Sequence, residues 1–269
     1  LALSPYNPHP PTRFEMTRNS FSKSFPLLFA AACSASALNP LSAQADSAPM
    51  PSAPLQKLLS LQWTTQAGMD YILNAVPPPP APGSDEEKAD FQAVLKAQAA
   101  RRAGDTNEIQ AGLKIGLLTT VLSPDFIPRN YPLTFAFLGQ VQEETRLLND
   151  KVKARYQRHR PYQDHPEIKN LFAADSFGYP SEFAADSRML VLVLSELFPF
   201  KAGDLLHRDL VLAPNDVQAG VAYPSDIIAG RALAHAFLFV IQDNPDFKHD
   251  LARAQAEIAE KTSGAVPGK

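Results

Sequence analysis

Residues 132–161, "PLTFAFLGQVQEETRLLNDKVKARYQRHRP", decide how this chain is read. Leu138, Val141, Leu148, Val152 and Tyr156 recur at three-, four- and seven-residue steps, one apolar stripe along a long helix that follows Pro132. Its far end packs five Lys/Arg and one His into Lys151–Arg160 and stops at Pro161. Lys153 and Arg160 are seven apart, so a continuing helix projects both from nearly one face, while Arg155 and Arg158 point elsewhere. The cluster reads as a solvated face, a nucleic-acid patch or a grip for one small anion.

Working outward, the same kind of signal repeats. In "FGYPSEFAADSRMLVLVLSELFP", residues 177–199, Ser181 stands where an N-cap belongs and Met189–Leu194 is a fully apolar run. The stretch "GDLLHRDLVLAPNDVQAGVA" reads as one interrupted helix, Pro224 occupies a first helical position, and Asn244-Pro245 begins a last amphipathic helix. Upstream, Thr106 or Asn107 opens a helix through Leu122. Pro77–Pro80 must be extended, a stiff segment across the surface, and Ser84 caps a helix whose first turn holds Asp85, Glu86 and Glu87. No strand-like alternation of useful length occurs. The expectation is an all-α fold, a single domain of about seven to nine helices.

The chain has 269 residues, a formal charge of −3, 45% hydrophobic and 20% charged residues. An acidic balance argues against a general nucleic-acid binder, which needs a broad basic surface, so the basic cluster is a local feature. Residues 1–45 read as an upstream extension plus a secretory signal beginning at Met16. Arg18 and Lys23 form its positive region, Phe25–Ala32 its apolar region, and Ala43-Gln44-Ala45 its cleavage site. The expected destination is periplasmic or secreted, with lipid anchoring through Cys33, the single cysteine, as the alternative. Residues 46–70 form a Pro/Ala-rich segment, 71–262 the helical domain and 263–269 a tail. No later apolar run is expected to reach the ~18 residues that span a bilayer.

Lys153-x6-Arg160-Pro161, "GYPS" at 178–181 and "SDIIAGR" at 225–231 occur in a set order. In this the chain resembles the bacterial class A non-specific acid phosphatases, within the phosphatidic acid phosphatase type 2 superfamily, from about residue 72 to 262. The resemblance implies a multi-helix bundle of the acid phosphatase/vanadium haloperoxidase type with no cofactor. In that family the Lys and Arg of the first motif, a Pro-Ser-Gly-His turn and a later Arg grip phosphate. One His protonates the leaving alcohol, a second attacks phosphorus, and an Asp orients it.

Carried over position by position, Lys153, Arg160, Ser181 and Asp226 match, Asp226 as the orienting position only. Glu182 replaces the glycine and Phe183 the acid His. Counting back from Asp226 puts Ala222 at the nucleophile and Asp216 at the phosphate-binding Arg. His207, His235 and His249 each lack an Asp four residues later. A methyl group cannot form a phosphoenzyme, and carboxylates repel a phosphate dianion. The expectation is that Lys153 and Arg160 pair with Asp216 or Glu182 instead.

Bland readings stand beside these. Ser181 is an N-cap either way, and Asp226 also suits a helix's first turn. His235 reads as a hydrogen-bonded core histidine, His159-x5-His165 is weak as a metal site, and Trp63 carries no specific signal. Three functions follow: a pseudoenzyme with a binding or structural role, an active phosphomonoesterase with its His elsewhere, or another hydrolase using Glu182 or Asp216. The ligand is a small molecule of unknown identity, a phosphate ester if the chain is active. No metal is expected, and a homo-oligomer is left open.

Overall fold

The computed structural model describes residues 61–102, 106, 109 and 119–263, all within the unit Met50–Lys269. Helices begin where the sequence supplies a cap or a proline. Thr65 accepts from the Gly68 N–H to open α1 (Gln66–Ala75), and Ser84 accepts from Glu87 N at 3.1 Å to open α2 (Asp85–Ala99). Pro132 opens the 25-residue α3 (Pro132–Tyr156), and Pro161 the four-residue α4 (Pro161–Asp164). Ser181 caps α5 (Glu182–Leu197), accepting from Ala184 N at 3.1 Å.

A 3-10 turn, Pro199–Lys201, leads into α6 (Ala202–Leu212). Pro214 separates this from α7 (Asn215–Gln218), the interruption the sequence announces. Then come α8 (Pro224–Ile241) and α9 (Pro245–Ser263), where Asn244 Oδ1 accepts from the Asp246 and Phe247 N–H groups. No strand occurs among the described residues. Thr106 and Ile109 are helical, and most of the helix expected there lies outside the described residues, as do the signal segment and the tail from residue 264.

The apolar run Met189–Leu194 makes α5 the central helix, packed on α8, α3 and α6. Met189, Leu194, Leu205, Leu233 and Phe237 are all fully buried, each contributing roughly 1.5–3 kcal/mol of transfer free energy. Gly230 brings α8 onto the start of α5. A Cβ there would lie 2.4 Å from the Ser181 carbonyl oxygen and 3.0 Å from Ala185 N, so only glycine lets the two backbones meet.

Four expectations change. The helix does not continue to Arg160: α3 ends at Tyr156, and Gln157 turns left-handed at φ 48°, its N–H bonding Lys153 O. Trp63 is a core residue, 2% exposed, with its ring edge-on to Phe137 and Phe247, and its backbone N–H, like that of Gln62, donates to the buried Glu144 carboxylate. His235 is exposed on α8, because it falls on the outer side of the turn after Arg231. One helix, Pro224–Ile241, does reach spanning length, with a mean hydropathy of 1.3, because Ile, Leu and Phe outweigh Asp226 and Arg231. Half of that window is buried inside the protein.

Candidate functional site

The left-handed turn at Gln157 reverses the chain so that Arg160, now the residue before α4, comes back toward Lys153. Both are buried, 9% and 3% exposed. They converge, but on the backbone of one loop. Lys153 Nζ donates to Phe177 O at 2.6 Å and Pro180 O at 2.9 Å. Arg160 donates from Nε to Ser176 O at 2.8 Å, from Nη1 to Val221 O at 2.9 Å and from Nη2 to Ser176 Oγ at 3.0 Å. The two cations clamp 176–180 and tie it to the segment before α8.

This corrects the expected ion pairs: neither Lys153 nor Arg160 forms a salt bridge with Asp216 or Glu182 among the described residues. The reason is geometric. The carbonyls of a tight loop reach the cations first, and Asp216 is taken by a different partner. Ser181 Oγ donates to Asp216 Oδ2 at 2.6 Å inside the protein. Burial pushes the Asp216 carboxyl up, against the pull of Ser181, Arg160 and Lys153. Burial also lowers Lys153 to about 8, with the Arg160 charge acting the same way. The acid and the base are both driven toward their neutral forms.

Two of the other substituted positions, Ala222 and Phe183, have turned apolar. Ala222 is fully buried in a small cluster with Ala184, Ala213 and Ile227. Phe183 packs against the main core. Glu182 is the first residue of α5, half-buried, favourable beside the positive end of that helix.

Asp226 has a new partner that sequence reasoning missed. Arg158, expected to point away, donates from Nη1 to Asp226 Oδ1 at 2.7 Å and from Nη2 to Asp90 Oδ2 at 2.9 Å, with its guanidinium 4.1 Å from the Tyr223 ring centre. Asp226 Oδ2 accepts from Tyr223 N at 2.8 Å, and Ser225 bonds Asp90. Burial raises the Asp226 carboxyl to about 6, although Arg158 pulls it down. One network thus joins α2, the turn after α3, and the start of α8. The only local hint was a basic residue between two motif positions.

One cavity, of about 370 Å³, opens beside this region, lined by Asp150, Lys153, Gln157, His159, Gln163, Asp175 and neighbours. His159 Nδ1 lies 2.8 Å from Asp164 Oδ1, and its ring is exposed. His165 stacks on Phe91 instead, 4.1 Å between ring centres. Among the described residues no group of three His, Cys, Asp or Glu side chains could hold a metal.

No family model matches the chain. Among curated proteins, a non-specific acid phosphatase of Salmonella typhi is 27% identical over 200 residues, covering 69% of this chain and 80% of that protein. One from Providencia stuartii is 26% identical over 219 residues, covering 73% and 87%. Among solved structures, a transmembrane PAP2 type phosphatidylglycerolphosphate phosphatase from Bacillus subtilis is 16% identical, covers 65% of this chain and 90% of that chain, and has a TM-score of 0.43. Over about 70% of its length, then, this all-helical chain is similar to curated non-specific acid phosphatases.

Proposed function

We propose that this is an exported acid-phosphatase-like protein without phosphohistidine turnover, whose inherited anion site has become a structural joint and whose role is one of binding or support. The observation that carries this reading is the acid side chain of Asp216 on Ser181 Oγ, which takes up a residue that in the family grips phosphate. Ala222 among apolar neighbours and Phe183 against the core support it, since neither can accept or donate a proton. The expected outcome is that the mature chain hydrolyses a chromogenic phosphomonoester at acid pH no faster than its Lys153→Ala variant. Turnover that this substitution abolishes would count against the proposal.

A second reading, a working phosphomonoesterase with a displaced nucleophile, has one observation in its favour. Asp164 holds Nδ1 of His159, and His159 lines the same cavity as Lys153. Under that reading a phosphate ester is the substrate, and His159→Ala removes turnover while leaving the melting temperature unchanged.

Export rests on the segment Met16–Ala45. Expressed in a Gram-negative host, the protein is expected in the periplasmic fraction with Asp46 as its first residue by N-terminal sequencing. A lipid-modified Cys33 at the N-terminus assigns the anchored alternative, and an intact upstream segment in the cytoplasm contradicts export.

A further inference from the structure

A second group of cations lies outside the clamp described above, where α5, α6 and α8 meet. Arg188 Nη2 is 2.6 Å and Arg231 Nη2 3.1 Å from the same oxygen, Asp209 Oδ2, while Ser187 Oγ donates to Oδ1 at 2.7 Å. Asp209 is buried, 1% exposed. One negative charge therefore faces two positive ones. The Nε of each arginine is buried and has no hydrogen-bond partner, although Arg188 is itself only 9% exposed. Two guanidinium forks sharing one carboxylate oxygen leave donors unused, and a surplus cation held this close to the interior is stabilised by an added anion.

His235, one turn beyond Arg231, belongs to the same group. Partial desolvation and the charges of Arg188 and Arg231 hold its imidazole below the ordinary value, with Asp209 acting the other way. These are the charged groups that α5, α6 and α8 present to it. The surroundings are apolar and exposed: Ile228 and Phe239, the latter with its ring 5.4 Å from that of Tyr71, share the α8 stripe with Arg231 and His235, and Leu206 and Leu210 are exposed on α6.

We propose that Arg188, Arg231 and His235 form a binding site for a phosphate-type oxyanion, either free or as the headgroup of an amphiphile whose apolar part rests on Ile228, Phe239 and Leu210. Arginine suits the role because its planar fork meets two oxygens of one tetrahedral anion. A protonated His235 adds a third donor, so affinity rises as the pH falls through the imidazole range.

The test uses the intact mature chain and two imidazoles as reporters. Inorganic phosphate is titrated while His235 and His159 are followed by NMR, the latter standing at the Lys153 cavity. The expected result is a rise of about half a pH unit or more in the His235 midpoint, with no change at His159. That response is lost in Arg231→Gln, and in His235→Gln, an exposed position, phosphate stabilises the fold several-fold less effectively at pH 6. Co-sedimentation with phosphatidylglycerol vesicles, lost in Arg231→Gln and absent with phosphatidylcholine alone, assigns the headgroup source. A phosphate response without vesicle binding assigns the free anion. A phosphate response at His159 alone, or none at His235 with either probe, overturns the proposal. The first of those outcomes also contradicts the loss of the inherited site, whereas the second leaves it standing.

Discussion

Replacing Arg158 by Met is expected to destabilise the fold by roughly 3–5 kcal/mol, more than any other single change around Lys153 and Asp226. The size follows from what remains. Asp226 is completely buried, and Asp90 is 6% exposed; without Arg158 each loses its cation while keeping its place in the interior. Tyr223 N still donates to Asp226, and Ser225 still bonds Asp90, so the helix start survives but the carboxylates do not stay comfortably ionised. The double variant Arg158→Met/Asp226→Asn should recover most of the loss at neutral pH, because the uncompensated charge goes with the partner. Urea unfolding of both variants checks this. A loss under ~1 kcal/mol in the single variant would show that the network contributes little.

The second large effect is a pH dependence centred on Asp186. It lies one turn after Glu182 on α5, is 8% exposed, and its Oδ1 has no hydrogen-bond partner. Burial, and then the Glu182 charge, raise its carboxyl to about 8. A carboxyl raised in the folded state binds its proton more tightly there than in the unfolded chain. Its cost is therefore absent at low pH, grows as pH rises from about 4 to 8, and is constant above that. Asp226, raised to about 6, acts in the same direction. Lys153, lowered to about 8, acts oppositely: its cost is present below pH 8 and fades as pH climbs toward the ordinary lysine value. Acidic conditions are thus favoured. The wild type should be less stable at pH 8 than at pH 5 by a few kcal/mol, ~2–5 given its burial. Asp186→Asn should keep the pH 5 stability and regain most of the difference at pH 8. Identical pH profiles for the two proteins would remove Asp186 from the account.

What the sequence disclosed was mostly what neighbours along the chain determine. Ser84 and Ser181 as caps, and Pro132, Pro224 and Pro245 as openers, each depend on a few adjacent residues, and each stands where it was expected. The all-α class followed from apolar stripes that need only helical periodicity. The turn at Gln157 could not be seen, because a non-glycine residue in the left-handed region has no compositional mark. The Arg158–Asp90–Asp226 network joins residues about 68 positions apart, so no spacing rule announces it. Charge alone pairs Lys153 and Arg160 with carboxylates. The loop carbonyls of Ser176, Phe177 and Pro180 are invisible to that reasoning, since every residue has one. Trp63 was silent for the same reason: its edge-on partners, Phe137 and Phe247, come from two distant helices.

The central claim is that no imidazole of this protein carries phosphate. Incubating the mature chain with a phosphomonoester at acid pH, quenching in alkali to preserve phosphohistidine, and mapping all peptides by mass spectrometry addresses it directly. The account predicts unmodified histidines throughout; a phosphorylated imidazole at His159, or at any other histidine, would contradict it.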